Sequence, residues 1–180
     1  MNPEDLLEEA ESVCSDKIRK IREITRENEL KVLSAFLDAG IDEYTVSFVG
    51  TGYGYGDRGR DALSRVFSLS LSAESAIVLP QIISGTHAIS SALFALLRPK
   101  DRILSLTGPV YDTLEKVIDS LKEWEIGYQE IPFERRLDTD YIDSSVEIPP
   151  KLIFIQRSCG YNWSRKSLTI DEINELILNI

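Results

Sequence analysis

Short apolar runs alternate with amphipathic stretches along this chain, and the alternation limits the folds that it can adopt. The apolar-rich runs lie at residues 76–79, 103–106, 126–131 and 152–155. Residues 110–121 have helical apolar spacing, and Thr169 and Glu172 form a capping-box pattern at the start of a last helix. Strands that alternate with helices are typical of βαβ units. The sequence therefore predicts an α/β fold with a mostly parallel sheet.

A long amphipathic stretch precedes these runs. Its apolar residues recur at steps of three and four positions and are Leu6, Leu7, Ala10, Val13, Cys14, Ile18, Ile21, Ile24, Leu30, Leu33 and Leu37. This spacing predicts one long helix or two consecutive helices over residues 4–38, with Gly40 as a C-terminal stop. A stripe of this kind usually belongs to a core or to a subunit contact.

Charge and cysteine usage narrow the class of protein. The 180 residues carry a formal net charge of −10, which argues against binding to nucleic acid or to an anionic membrane. The two cysteines, Cys14 and Cys159, are too far apart in sequence to suggest a disulfide framework. The acidic N-terminus does not resemble a signal peptide, and the apolar stretches are too short to span a bilayer. We expect a cytoplasmic protein with small-molecule or protein partners.

Ser84, Gly85 and Thr86 stand just before a strongly apolar helical stretch. Backbone N–H groups and the helix dipole favour an anion at such a position, and the two hydroxyls could add hydrogen bonds. The alternative is that Ser84 or Thr86 only caps the helix. His87 is the only histidine, so no histidine pair is available for a metal site.

Aromatic and basic residues suggest further ligand contacts. Tyr53, Tyr55, Arg58 and Arg60 lie on a glycine-rich arm, where guanidinium groups could hold a phosphate or a carboxylate. As charges on a solvated loop, they would be unremarkable. Tyr111 stands at a strand-to-helix turn, where its ring either stacks on a flat heterocycle or is simply half-buried.

The polar residues 156–161 follow the last apolar run, at 152–155. Ligands of open α/β sheets bind beyond the carboxyl ends of the strands, so this segment is a candidate wall of a site. Within it, Cys159 is either a reactive thiol beside Arg157 or a spectator.

Five stretches together carry a resemblance to a known family: residues 52–61, 80–88, 97–101, 107–113 and 155–161. In order and spacing they resemble the methionine gamma-lyase-like proteins, often labelled aluminium-resistance proteins, among the fold-type-I pyridoxal-phosphate enzymes. The sequence departs from the family pattern at Lys100, where a glycine is common, and at Cys159, where a basic residue is expected.

The resemblance implies a partial fold-type-I (pyridoxal-phosphate-dependent transferase-like) large domain after the N-terminal helices. It also implies a carbon–sulfur lyase-like enzyme that acts on amino acids as a homo-oligomer. Its cofactor would be pyridoxal 5'-phosphate, with Tyr111 stacked on the ring and the glycine-rich arm reaching into a neighbouring subunit's phosphate site. The implied cofactor-binding residues are Ser84, Gly85, Thr86, Tyr111, Tyr53, Tyr55 and Arg58.

The family's Schiff-base lysine lies further along a longer chain. The eight lysines here match none of its motifs and are Lys17, Lys20, Lys31, Lys100, Lys116, Lys122, Lys151 and Lys166. We therefore expect a truncated family member with no catalytic residue of its own and little activity alone. In this interpretation, residues 1–50 are an N-terminal helical segment and residues 51–180 an incomplete cofactor-binding domain.

Two other interpretations remain open. The chain could be a non-catalytic interaction module that pairs with a full-length paralogue or a separate second half, because an unfinished sheet exposes apolar faces and an unpaired strand. A nucleotide-binding domain is the other, but the sequence contains no GxxxxGK[ST] motif and no strand-associated GxGxxG motif.

Overall fold

A computed structural model describes residues 2–51, 53, 55–158, 160 and 162–178. The chain forms two compact units, Met1–Gln81 and Ile82–Ile180, and each is described by itself. Gly52, Gly54, Cys159 and Tyr161, which belong to sequence motifs above, lie outside the described residues. None of the described helices combines the length and the hydropathy needed to cross a bilayer.

The first unit contains three helices: α1 (Pro3–Asp38), α2 (Glu43–Ser47) and α3 (Arg58–Ser70). The long helix predicted over residues 4–38 is confirmed as the single helix α1. Asn2 and Asp5 form a capping box at its start, because each side chain accepts a hydrogen bond from a backbone N–H of this first turn. α1 contacts α3, and each of these helices has buried residues.

The second unit is an α/β arrangement. Its elements, in chain order, are α4 (Gly85–Leu96), β1 (Arg102–Ser105), α5 (Asp112–Glu123), β2 (Gly127–Glu130), a 3₁₀ turn (Phe133–Arg135), α6 (Thr139–Ser145), β3 (Leu152–Phe154) and α7 (Ile170–Leu178). The predicted capping box is confirmed, since the Thr169 backbone N–H donates to Glu172 Oε2 at 2.7 Å and the Glu172 N–H donates to Thr169 Oγ1 at 3.2 Å.

The three strands form a parallel sheet in the order β2-β1-β3. Ile103 of β1 aligns with Tyr128 of β2 on one side and with Leu152 of β3 on the other. The predicted parallel sheet is therefore confirmed in this unit. Because the strands are parallel, their carboxyl ends lie at one edge of the sheet.

The core of this unit lies on both faces of the sheet. Successive residues of a strand point to opposite faces, so Ile103 and Leu104 of β1 enter different clusters. Ile103 packs with residues of α4 and α5, including Leu93 and Leu114, whereas Leu104 packs with residues that include Leu176 of α7. Each fully buried Leu or Ile side chain contributes about 1.5–3 kcal/mol.

One predicted strand is wrong. Residues 76–79 pair with no strand of the described chain, although the run is apolar. Ile77 is 78% exposed, so the run is not buried as a strand core would require. A strand needs a hydrogen-bonded neighbour, and an apolar run does not supply one by itself. Helices α2 and α6 were not predicted.

Candidate functional site

The candidate site lies where the direction of chain progression across the sheet changes. From β1 the chain passes through α5 to β2 on one side, and β3 is then added on the other side of β1. Loops that leave β1 and β3 therefore border a crevice at the carboxyl ends of the strands. In open α/β sheets, ligands bind at such a switch point.

The first turn of α4 offers open hydrogen-bond donors. Ser84 is the N-cap, and its Oγ accepts a hydrogen bond from the His87 N–H at 3.0 Å. The backbone N–H groups of Gly85 and Thr86 have no hydrogen-bond partner within the described residues. A Cβ built on Gly85 would meet no atom within 4 Å, so the space beside these groups is open. The hydroxyl of Ser84 thus caps the helix and keeps its own proton for another acceptor.

A side-chain contact joins α4 to α5. The Thr86 and Thr113 hydroxyl oxygens lie 3.2 Å apart, so the first turns of the two helices are adjacent. Helix N-termini carry partial positive charge, and here two of them meet. Sequence reasoning did not single out Thr113, although it follows β1 at the predicted ligand edge of the sheet.

The loop after β1 is tightly constrained. The Ser105 hydroxyl donates to the Gly108 carbonyl at 2.6 Å, and Ser105 is fully buried. Gly108 has φ = +78°, and a Cβ placed there would lie 2.9 Å from the Arg165 Nη2. Arg165 also donates from Nη1 to the Thr107 carbonyl at 3.4 Å. The positive φ makes glycine the favoured residue at this turn, and the Arg165 guanidinium fills the space that a side chain would enter.

Gln156 ties the loop after β3 to the start of α5. Its Oε1 accepts a hydrogen bond from the Tyr111 N–H at 3.0 Å, and its own N–H donates to Thr107 Oγ1 at 2.9 Å. Its Nε2 donates to the Ser158 carbonyl at 3.0 Å. The half-buried Tyr111 is thereby held through its backbone. The sequence predicted residues 156–161 as a wall of the site, but not this role for Gln156.

A cavity of about 680 Å³ opens between these loops, within the size range of ligand pockets. Its walls come from α4, from the start of α5 and from the loop after β3. The lining residues are Ile89, Tyr111, Asp112, Thr113, Phe154, Ile155, Gln156, Arg157, Ser158 and Gly160. The wall is mainly apolar with a few polar groups, and charges of both signs lie on it, on Asp112 and Arg157.

The structure brings only some of the predicted site residues together. Gly85, Thr86 and Tyr111 belong to the second unit and stand around the contact between α4 and α5. Tyr53, Tyr55 and Arg58 belong to the first unit, where both tyrosines are largely exposed and the Arg58 guanidinium lies over the Tyr44 ring at 5.2 Å.

The sequence also raised other chemistry for His87 and Cys159. His87 is exposed, and the Ile83 N–H points to its Nδ1 at 3.4 Å. Cys159 lies outside the described residues. The candidate site therefore consists of the open backbone donors at the start of α4 and the cavity beside Tyr111.

Parallel strands, helix N-termini at their carboxyl edge and a cavity at the switch point define an α/β protein with a candidate ligand site. The methionine gamma-lyase family model matches residues 3–180. The chain belongs to the methionine gamma-lyase family.

Individual relatives agree with this assignment. The Bacillus subtilis protein YnbB is 41% identical over 169 residues, which is 88% of this chain and 40% of YnbB. A Listeria innocua protein, called a "putative cystathionine beta-lyase involved in aluminum resistance", has 37% identity and a TM-score of 0.91 over 99% of this chain and 46% of its own. A Clostridium novyi carbon-sulfur lyase involved in aluminum resistance has 34% identity and a TM-score of 0.81, over 97% and 44% of the two chains. The chain thus spans less than half the length of the relatives it matches.

Proposed function

We propose that this chain forms the phosphate-binding and ring-contacting side of a pyridoxal 5'-phosphate site in a carbon–sulfur lyase that acts on amino acids. The observation that carries the proposal is the meeting of α4 and α5 at Thr86 and Thr113, 3.2 Å apart, beside the cavity lined by Tyr111. Membership in the methionine gamma-lyase family supports the choice of cofactor and reaction class.

The residues at the start of α4 fit a phosphate group. The open N–H groups of Gly85 and Thr86 can donate to phosphate oxygens, and the hydroxyls of Ser84 and Thr86 can add two donors. The space beside Gly85, which a Cβ would enter, leaves room for an oxyanion at the backbone. Capping by Ser84 and phosphate binding are compatible, because the cap uses its oxygen as an acceptor.

The residues around Tyr111 fit an aromatic ring. The side chain is half-buried and lines the cavity, and its backbone is anchored by Gln156 at 3.0 Å. Ile89 and Phe154 add apolar surface to the same wall. A flat heterocycle packed there would be shielded from water on one side.

When bound, pyridoxal phosphate supplies an electron sink for bonds at the α-carbon of an amino acid. The part of this chain in the chemistry is to bind and orient. Gly85 and Thr86 would hold the phosphate, Tyr111 would position the ring, and the apolar wall would exclude water. The eight lysines of the chain are all described, and none lines the cavity. We therefore infer that these residues bind the cofactor without converting a substrate.

Further properties of the whole enzyme are proposals that rest on the family. They are a fold-type-I large domain, a cytoplasmic homo-oligomer, and an arm carrying Tyr53, Tyr55 and Arg58 that reaches a neighbouring subunit's phosphate site. The division into a helical segment, residues 1–50, and a cofactor-binding domain, residues 51–180, also stays a prediction. The open α4 donors support the arm in one respect, since they leave a bound phosphate accessible to further cations.

Binding of pyridoxine 5'-phosphate, measured by isothermal titration calorimetry, tests the proposal. This probe has the ring and the phosphate but no aldehyde, so it cannot react with surface lysines. We expect it to bind at least about tenfold more tightly than pyridoxine, which lacks the phosphate. Gly85→Ala places a methyl group in the open space and should weaken binding about tenfold or more, while the fold is kept because Gly85 has no positive φ.

Ser91→Ala is the matched control, because Ser91 is exposed in the same helix, away from its first turn. Its affinity for pyridoxine 5'-phosphate should equal that of the parent chain. Equal affinity for the two probes, or unchanged binding in Gly85→Ala, would disprove the phosphate site. Turnover of an amino-acid thioether by the purified chain would contradict the inference that it binds without converting.

The second candidate function is a non-catalytic interaction module. It is favoured by the apolar residues that α1 leaves exposed, including Val13 at 80% and Ile21 at 62%. This function does not exclude cofactor binding, because α1 and the candidate site belong to different units.

A further inference from the structure

α1 carries an apolar stripe that its own unit does not cover. Leu6, Leu7, Val13, Ile21 and Ile24 are each more than half exposed. Helical spacing puts them on one side of the helix, over a length of about 27 Å. Further along the same helix, Ala35 is buried where α1 contacts α3. Among the described residues of α1, burial is thus confined to Ala35, and the stripe from Leu6 to Ile24 is uncovered.

The charges along the uncovered part of α1 are separated into two blocks. Residues 2–16 contain six carboxylates and no cation, namely Glu4, Asp5, Glu8, Glu9, Glu11 and Asp16. Residues 17–22 contain four cations and no carboxylate, namely Lys17, Arg19, Lys20 and Arg22. The boundary between the acidic block and the basic block falls between Asp16 and Lys17, two residues after Cys14.

The helix by itself does not account for this separation. Its dipole favours acidic residues in the first turn, which explains Glu4 and Asp5. It does not explain four cations in the middle of a 36-residue helix. Within α1, Arg19 forms exposed ion pairs with Asp16 at 3.4 Å and with Glu23 at 3.2 Å, which contribute little to stability.

We propose that α1 pairs antiparallel with α1 of a second copy of this chain, crossing near Cys14. Pairing in this direction sets the acidic block of each helix against the basic block of the other. A parallel pair would face acid with acid and base with base, which is unfavourable. The apolar positions agree with the same crossing, because Leu7 and Ile21 each lie seven residues from Cys14 and would face each other.

The acidic and basic blocks of α1 favour a second copy of this chain as the partner that covers the stripe. The stripe of one helix is matched in length by its own copy, and each acidic block meets a basic block in both halves of the pair. A self-complementary surface of this kind forms a closed two-fold contact. The inference goes beyond the proposed cofactor site and does not depend on it, since none of these residues lines the cavity.

Directed cross-linking tests the direction of the pair. The background is the full chain with Cys14→Ser and Cys159→Ser, into which Leu7→Cys and Ile21→Cys are introduced separately, each with a different affinity tag. After mixing and treatment with a short bismaleimide, we expect cross-links between the Leu7→Cys chain and the Ile21→Cys chain. We expect none between two Leu7→Cys chains, whose thiols would be about 20 Å apart.

Three outcomes decide the geometry. Cross-linking of two Leu7→Cys chains would show a parallel pair and overturn the proposal. Absence of any cross-link in the mixture would overturn it as well. The chain with Cys159→Ser alone should cross-link to itself through Cys14, which is exposed and stands at the crossing.

A charge exchange tests the recognition. The triple variant Arg19→Glu, Lys20→Glu and Arg22→Glu should raise the dimer dissociation constant at least tenfold in analytical ultracentrifugation. Mixing it with the triple variant Glu4→Lys, Glu8→Lys and Glu9→Lys should restore association as a heterodimer. The matched control, Lys116→Glu with Lys122→Glu on exposed positions of α5, should associate like the parent.

Failure of the exchange to restore pairing would disprove charge recognition. These variants leave the α4 donors and Tyr111 unchanged, so each of them should still bind pyridoxine 5'-phosphate more tightly than pyridoxine. A loss of dimer with this preference retained, or the reverse, therefore separates the two proposals.

Discussion

The two units of this protein use similar apolar periodicities in opposite ways. In the second unit, Leu114 of α5 is fully buried against the sheet, as are Leu106 and Ile131 at strand ends. In the first unit, α1 has a longer stripe, yet Ala35 is the only residue of that helix buried among those described. Both patterns predict helices correctly, but only one of them becomes a core.

Apolar spacing therefore predicts which face of a helix is apolar, but not which surface covers that face. A helix beside a sheet finds its apolar neighbour within about ten residues of chain, through a short βα connection. A helix of 36 residues is longer than the other helices of its unit, α2 with 5 residues and α3 with 13. Its stripe therefore extends past any surface that α2 and α3 can offer.

The largest difference in the free energy of unfolding should come from shortening one apolar side chain in α5 and one in α1. Leu114→Ala should lower the free energy of unfolding by about 2–5 kcal/mol, because it leaves a cavity in a packed cluster. Ile21→Ala should change it by about 0.5 kcal/mol or less in the monomer, since Ile21 is 62% exposed. Urea denaturation followed by circular dichroism at low protein concentration measures both.

At a protein concentration where the chain dimerises, Ile21→Ala should weaken association while Leu114→Ala lowers stability at every concentration. Equal losses from the two truncations at low concentration would show that α1 is covered within its own chain. The contrast between a core helix and an interface helix would then be wrong.

A smaller effect is expected from two glycine substitutions in the second unit. Gly108→Ala should cost about 1–3 kcal/mol, because φ is +78° and alanine is strained in that conformation, while the Arg165 guanidinium can move aside. Gly85→Ala should be neutral or slightly stabilising, since the position is open and helical. Thermal unfolding monitored by circular dichroism compares them, and equal melting temperatures would contradict the tight loop.

The smallest effects concern the acidic helix caps, one in each unit. A hydrogen bond from the Thr45 hydroxyl holds the pKa of Asp42 below its ordinary value of 3.8, and one from the Thr169 N–H holds the pKa of Glu172 below 4.5. A carboxyl group whose pKa is lowered on folding stabilises the protein at pH values above the pKa of that group in the unfolded state. This contribution to stability is lost as the pH falls through the pKa of the same group in the folded state.

Stability measured by urea denaturation between about pH 6 and about pH 3 should therefore fall less steeply in Glu172→Gln and in Asp42→Asn than in the parent chain. At about pH 6 both variants should be less stable than the parent. The Glu172 effect should begin at the higher pH, because its ordinary pKa is higher. If the stability of a variant and that of the parent changed with pH in the same way, the pKa of the capping carboxyl group would not differ between the folded and unfolded states.

Much of the element order could be predicted from the sequence. The helix over residues 4–38, the strands near 103–106, 126–131 and 152–155, and the capping box at Thr169 all agree with the structure. These features are local, because spacing and capping act within a few residues. The strand predicted at 76–79 failed, since pairing depends on a neighbour that local sequence does not contain.

The candidate site was only partly predictable. Gly85, Thr86 and Tyr111 were found from turns, helix starts and a family resemblance. The contact between Thr86 and Thr113 joins residues 27 positions apart, and the bond from Tyr111 to Gln156 joins residues 45 positions apart. No local sequence pattern predicts contacts between residues so far apart in the chain, because these contacts follow from the strand order.

Residue types at short spacing are enough to predict the family, a parallel α/β sheet within residues 51–180 and the two charge blocks of α1. Local sequence does not predict that the strand order β2-β1-β3 brings two helix N-termini and Gln156 to one crevice. Nor does it predict that the stripe of α1 stays exposed in the folded chain. Burial depends on which surfaces the chain can bring together, and that is a property of the folded chain as a whole.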